Sequence, residues 1–302
     1  MPPLSRTLAQ PIADHISEIT GQFFQIERQQ TVGGGCINQS VAVSGGVGGA
    51  SPQETRTFFV KINRADRLAM FEAERDGLQE IYESQTIRVP QPLGCGIIGD
   101  SSYIVMEWLS LGSGGSDQSW QQMGDRLAAM HNVTSTQGFG WHRDNTIGAT
   151  PQQNGWCADW SEFWRDRRLG PQFEMAHDKG AHFPRRDELM SALPRLLCDH
   201  TPSPALLHGD LWSGNSAITS AGEPVIVDPA TYYGDSETDL AMTELFGRLP
   251  ASFYQAYQSV RPLNAGYEQR KILYNLYHII NHYNLFGGGY LDQANRMIDQ
   301  VL

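Results

Sequence analysis

A chain of 302 residues with a hydrophobic fraction of 40% can build one large domain or two lobes, and a charged fraction of 18% is too low for a disordered polypeptide. The formal net charge of −11 argues against a general nucleic-acid or anionic-membrane binder. Residues 1–20 hold no apolar signal core and no run long enough for a membrane span occurs, while Cys36, Cys95, Cys157 and Cys198 are scattered without CxxC pairs. A soluble, cytoplasmic protein with reduced thiols is the expectation.

In chain order, residues 5–20 place Leu8, Ile12, Ile16 and Ile19 at helical spacing, and Gly21 is a stop. Residues 24–27 alternate, 31–38 (TVGGGCIN) form a glycine-rich turn, and 39–43 alternate again, which predicts a hairpin with glycines at its tip. Residues 44–53 (SGGVGGASPQ) read as a loop. A buried strand is predicted at 57–63, then an amphipathic helix over 65–82 with Leu68, Phe71, Leu78 and Ile81 apolar. Strands follow from Val89 and over 102–109. The first third is therefore a small, mostly antiparallel sheet with one inserted helix.

Residues 110–117 (SLGSGGSD) have linker composition. Beyond them the pattern predicts a helix around 120–133, a loop through 138–151, and helices near 159–179 and 186–199. From about Ser236 the chain is helical again, with repeated aromatics over 274–286. No internal repeat or heptad array occurs.

The most informative stretch is 206–215 (LLHGDLWSGN), followed by 225–229 (VIVDP). It places Asp210, then Asn215, then Asp228 behind a short apolar strand. Kinases use that order: one Asp orients the acceptor hydroxyl, and an Asn and a further Asp hold magnesium. Three oxygen ligands on one tight loop and one strand end suit a hard cation that keeps several waters. Either half alone is also what an ordinary turn or a Pro-limited strand looks like; together they point to phosphoryl transfer.

That chemistry needs a cation on the ATP phosphates. Lys61 lies mid-strand in FFVKIN, so Val60 and Ile62 face one way and Lys61 the other. A lysine among apolar neighbours needs a carboxylate partner. The following helix offers Glu74, on the side flanked by Phe71 and Leu78, with Glu72 as second choice. Gly33, Gly34 and Gly35 sit between two strands, which excludes a Walker A loop or a Rossmann fingerprint. Their backbone N–H groups could approach phosphate oxygens, although a plain flexible hairpin reads the same. Glu107, Trp108 and Leu109 stand where a hinge strand would pass the purine edge, an assignment from position alone.

With these parts in place the chain resembles the fructosamine-3-kinase (ketosamine kinase) family, of the aminoglycoside-phosphotransferase-like branch of the protein-kinase-like fold. GGGCI at 33–37, FVKIN at 59–63, MFEAE at 70–74, PALLHGDLWSGN at 204–215 and DPATYYGDSETDLA at 228–241 match in order and spacing. The resemblance implies an α+β fold of two lobes: a small antiparallel N-lobe with one helix (1–109) and a larger, mainly helical C-lobe (110–302). It implies ATP and Mg2+, and phosphorylation of the 3-hydroxyl of ketosamines, either small molecules or glycated protein lysines. The product falls apart and frees the amine, which makes the activity a repair of glycated protein.

Carried over by position, Asp210 would accept the sugar hydroxyl's proton, Asn215 and Asp228 would bind magnesium, Lys61 would hold the α/β-phosphates and Glu74 would hold Lys61. Trp212 could stack on a sugar ring or be a core Trp. Asp239 resembles the residue that anchors the catalytic loop, and His208 would fix that loop's backbone. His278 and His282 have i,i+4 metal-ligand spacing without a third ligand, so core or substrate-pocket roles fit them better. Cys36 could be a redox switch at the phosphate loop, giving a monomer or a redox-dependent homodimer, or simply a small tolerated residue. An aminoglycoside- or choline-type kinase is the alternative function, with a nucleotide-binding pseudokinase a further one.

Overall fold

Ile12, Ala13 and Ile16 recur on one side of the first helix, α1 (Arg6–Thr20), which stops where Gly21 takes a φ of +65° and donates its N–H to Glu18 O. The computed structural model describes residues 4–33, 37–47 and 54–302. The chain divides into two compact units, one of Met1–Glu83 with Val89–Ser110, the other of Ser84–Arg88 with Leu111–Leu302.

The first unit is built on strands β1 (Phe24–Thr31), β2 (Gln39–Val47) and β3 (Glu54–Arg64), helix α2 (Leu68–Glu83), and strands β4 (Pro92–Ile98) and β5 (Ser101–Glu107). The sheet order is β1-β2-β3-β5-β4, antiparallel throughout. One face packs Val41, Val43, Phe58, Val60, Ile62, Tyr103 and Val105 against Ile12 and Ile16 of α1. Burying side chains such as Val60 and Ile62 stabilises the unit by roughly 1.5–3 kcal/mol each. Helix α2, entered through a 3-10 turn at Ala65–Arg67, packs on β4 and β5, so the unit holds α1 as well as the inserted helix.

Residues 44–47, expected in a loop, belong to β2 and pair with β3. Gly45 is there because β1 bulges toward it between Ile26 and Arg28: a Cβ at Gly45 would lie 1.7 Å from Gln25 O. A glycine demanded by close backbone approach looks like loop composition. The rest of that expected loop, 48–53, lies outside the described residues.

The second unit starts with α3 (Asp117–Met130), whose N-cap Ser116 accepts the Ser119 N–H. Then come β6 (Asn145–Ile147) and β7 (Thr150–Gln152), a short hairpin inside the stretch expected to be loop. Strands of three residues are too short to show alternation. The long helix expected over 159–179 is broken into α4 (Trp160–Phe163), a π-helical turn (Trp164–Leu169) and α5 (Gly170–Asp178), followed by α6 (Arg186–Leu196). Strands β8 (Ala205–Leu207), β9 (Ser216–Ile218), β10 (Pro224–Ile226) and β11 (Tyr232–Gly234) pair as β9–β10 and β8–β11. Helices α7 (Glu237–Leu245), α8 (Ala251–Val260), α9 (Tyr267–Phe286) and α10 (Tyr290–Val301) close the unit. Helix α3 crosses α8 at Gly124, where a Cβ would lie 2.3 Å from Phe253 O. Among the described residues no helix is long and apolar enough to cross a membrane.

Candidate active site

The buried strand β8 delivers the loop 208–215 into the second unit. Gly209 turns it with a φ of +82°, and a Cβ there would lie 2.2 Å from Ala230 O, so no larger residue fits. The loop is held from α7 by Asp239, whose two oxygens accept the backbone N–H groups of His208 (2.7 Å) and Gly209 (2.8 Å). Asp239 also takes a bond from His131 Nε2 at 3.2 Å, and His131 Nδ1 in turn lies 2.7 Å from Tyr257 Oη. Burial opposes ionisation of Asp239, but the hydrogen bond from His131, the electrostatic influence of His131 and His208 and the His208 N–H hold its pKa below the usual range.

His208 is bonded on both ring nitrogens. Nε2 lies 2.8 Å from Val227 O, which can only accept, so Nε2 carries the hydrogen and Nδ1 accepts the Asp210 N–H at 3.2 Å. Burial lowers the pKa of His208. The ring is therefore a fixed brace joining Asp210 to the strand before Asp228.

Asp210 sits at the loop's apex, only partly exposed. Its pKa is pushed up to about 7, by desolvation first and then by the charges of Asp228 and Asp239, with the hydrogen bond from Asn215 opposing. Asn215 points Nδ2 at the Asp210 carbonyl (2.9 Å) and carboxylate (3.4 Å), which leaves the lone pairs of its amide oxygen available on the other side. Asp228 follows β10 with a φ of +56°, a left-handed conformation that costs a non-glycine residue about 1 kcal/mol or more. A carboxylate and an amide oxygen beside the Asp210 carboxylate, with no nitrogen or sulfur ligand, fit a hard divalent cation: Asn215 and Asp228 could hold magnesium.

In the first unit Lys61 is 5% exposed on the sheet face opposite Val60 and Ile62, and its Nζ lies 2.5 Å from Glu74 Oε1. Of the two glutamates open in the sequence, the structure pairs Glu74 with Lys61. The backbone N–H of Glu107 is taken by Gln91 O (2.9 Å), so a purine-edge contact from that N–H would compete with the fold. Gly33 has open space around its α-carbon. Gly34, Gly35 and Cys36 lie outside the described residues.

Trp212 is 36% exposed, which removes the core alternative for it. Its indole lies across Gly214, where a Cβ would come within 2.4 Å of the ring, and meets Phe246 edge-on at 6.3 Å. His278 and His282 do not form a ligand pair: His282 Nδ1 is bonded to the His278 carbonyl, and His278 is buried with its pKa pushed down to about 3 by desolvation. His200, Asp235 and Glu237 also cluster, but Tyr274 Oη donates to Asp235 at 2.6 Å and Arg270 grips Glu237 with two bonds, so the cluster is internally satisfied.

Several supports have no sequence signal. Asn145 Nδ2 donates to Thr231 O (2.8 Å) and Gln152 Nε2 to Ala230 O (3.1 Å), so the β6–β7 hairpin grips the backbone just after Asp228. Arg168, fully buried over the Tyr232 ring at 4.0 Å, donates to Asn154, which donates to Asn145. No local motif marks Asn145, Gln152 or Arg168.

Fold and site together define a phosphotransferase of the protein-kinase-like class, acting on a hydroxyl. The family model described as fructosamine kinase matches residues 8–302. A probable ketoamine kinase from Synechocystis sp. is 51% identical over 302 residues, covering 100% of this chain and 99% of that protein. The protein-ribulosamine 3-kinase, chloroplastic, of Arabidopsis thaliana is 45% identical over 287 residues, covering 93% and 85%. Among solved structures, a protein assigned as fructosamine-3-kinase from Haemophilus somnus superposes with a TM-score of 0.87 at 29% identity, covering 96% of each chain. An aminoglycoside phosphotransferase shares the fold at a TM-score of 0.60 and 15% identity, covering 97% and 99%. The chain belongs to the fructosamine kinase family.

Proposed function

We propose that this protein transfers the γ-phosphoryl group of ATP to the 3-hydroxyl of a ketosamine, the sugar adduct of an amine or of a protein lysine. The observation that carries the proposal is the presentation of Asp210: its loop is clamped by Asp239, braced by His208, and faced by Asn215. Such a carboxylate can orient the hydroxyl and accept its proton as the O–P bond forms. Asn215 and Asp228 would hold magnesium, which when bound neutralises charge on the phosphate oxygens. Lys61, oriented by Glu74, takes the α/β-phosphates. Trp108 and Leu109 offer backbone groups to the purine, and Trp212 offers an indole face to the sugar.

The relatives named as ketoamine and ribulosamine kinases support this substrate class. The unstable 3-phosphate would release the amine, so the consequence is repair of glycated amines in a reducing compartment. A coupled ADP-release assay with ribulosyl-lysine, fructosyl-lysine and an aminoglycoside tests the proposal. Turnover on a ketosamine is expected, and turnover on the aminoglycoside alone would overturn it. The oligomeric alternatives, a monomer or a dimer linked through Cys36, are separated by non-reducing gels of wild type and Cys36→Ala.

A further inference from the structure

Five rings form a continuous series that starts at the loop carrying Asp210. The backbone N–H of Trp212 donates to Asp210 O at 3.2 Å, and its indole meets Phe246. Phe246 lies 4.5 Å from the His282 ring, which lies 5.7 Å from Phe286 and 5.3 Å from Tyr290. The outer members are open, Trp212 at 36% and Phe286 at 58% exposure.

One polar atom sits among these rings with its chemistry fixed. His282 Nδ1 is 2.8 Å from the His278 carbonyl, and a carbonyl only accepts, so Nδ1 carries the hydrogen. Nε2 of the neutral ring then carries a lone pair, and among the described residues it has no protein hydrogen-bond partner. Burial of the ring favours the neutral form. The result is an acceptor among three aromatic rings whose centroids lie 4.5, 5.3 and 5.7 Å away, two elements that both favour a cation bearing N–H groups.

We propose that His282 Nε2 accepts a hydrogen bond from the protonated amine of the ketosamine, with Phe246 and Phe286 flanking that cation, so that His282 determines specificity for the amine half of the substrate. The inference rests on the ketosamine reading above, in which the 3-hydroxyl lies at Asp210 and the amine is carried on the neighbouring end of the same sugar. A neutral sugar offers no N–H cation, and an ammonium offers both the donor for Nε2 and the charge for the rings.

The test compares N-propyl-fructosamine with its neutral isostere, 1-O-propyl-fructose, in steady-state kinetics of wild type and His282→Leu. Wild type is expected to prefer the amine by about tenfold or more in kcat/KM, the scale of one charge-assisted hydrogen bond. His282→Leu is expected to remove most of that preference through the KM for the amine. Equal turnover of the two compounds by wild type, or an equal loss on both in the variant, would overturn the subsite and leave the kinase reading standing. Phosphorylation of neither by wild type would sink the kinase reading and the subsite with it. The wild-type ratio needs no substitution, so the outcome does not depend on whether the variant folds.

Discussion

The carboxylate of Asp239 accepts the backbone N–H of His208 at 2.7 Å, and with its second oxygen reaches Gly209, so one side chain fixes two consecutive peptides ahead of Asp210. Asparagine at 239 keeps one acceptor and turns a donor toward an N–H. Asp239→Asn is expected to lower kcat by about two orders of magnitude with little change in the KM for ATP, since the misplaced group is the one at the hydroxyl. It should also cost about 2–3 kcal/mol of stability, for a charge-assisted acceptor lost from two buried donors. Steady-state kinetics and urea unfolding check both; unchanged kcat would remove the clamp from the mechanism.

Lys61 and Glu74 form a buried pair at 2.5 Å, with side chains 6% and 11% exposed. Removing one partner leaves an uncompensated charge and is expected to cost about 3–5 kcal/mol, whereas replacing both by apolar residues recovers most of that. Lys61→Met should therefore be less stable than Lys61→Met/Glu74→Leu, while both lose phosphoryl transfer. A double variant that regains turnover together with stability would show the lysine to be structural.

Gly214 is occupied from above by the Trp212 indole, so Gly214→Ala must push the ring off the turn. A rise of about tenfold in the KM for the sugar substrate is expected, with the KM for ATP unchanged. Intrinsic fluorescence of the variant should report the moved indole. An unchanged sugar KM would mean that Trp212 does not touch the acceptor.

His278 has its pKa pushed down to about 3, against an ordinary value of 6.5, because it is buried in α9. Between those two values the unfolded chain binds a proton that the folded chain refuses. Stability is therefore full above pH 6.5 and falls as the pH drops, by up to about 1.4 kcal/mol per unit for this group. Burial lowers the pKa of His131 and His208 in the same direction. His278→Asn is expected to flatten the dependence of unfolding free energy on pH between 6.5 and 5 by about one proton. An unchanged slope would place the acid sensitivity elsewhere.

The parts written in local pattern were readable before the structure. Strand alternation around Lys61 put Val60 and Ile62 on the core face, and Phe71 with Leu78 oriented α2 so that Glu74 meets the lysine. What distance in sequence joins was not readable. His131 reaches Asp239 across 108 positions, and Asn145 grips Thr231 across 86, with no motif at His131 or Asn145. Composition misled at residues 44–47, where Gly45 serves a close approach of β1 and not a loop. Phe246, the ring that connects Trp212 to His282, stands in no pattern that a single sequence could flag.

The central claim is that Asp210 directs the phosphoryl group of ATP onto the 3-hydroxyl of a ketosamine. Its most direct test is phosphorus NMR with mass spectrometry on ribulosyl-lysine incubated with Mg-ATP and either wild type or Asp210→Asn. A 3-phosphate that decays with release of free lysine in the wild type, and is slower to form by about 10²–10⁴-fold in a variant that still binds nucleotide, is the predicted result. Phosphate on another hydroxyl, or undiminished turnover by Asp210→Asn, would contradict the account.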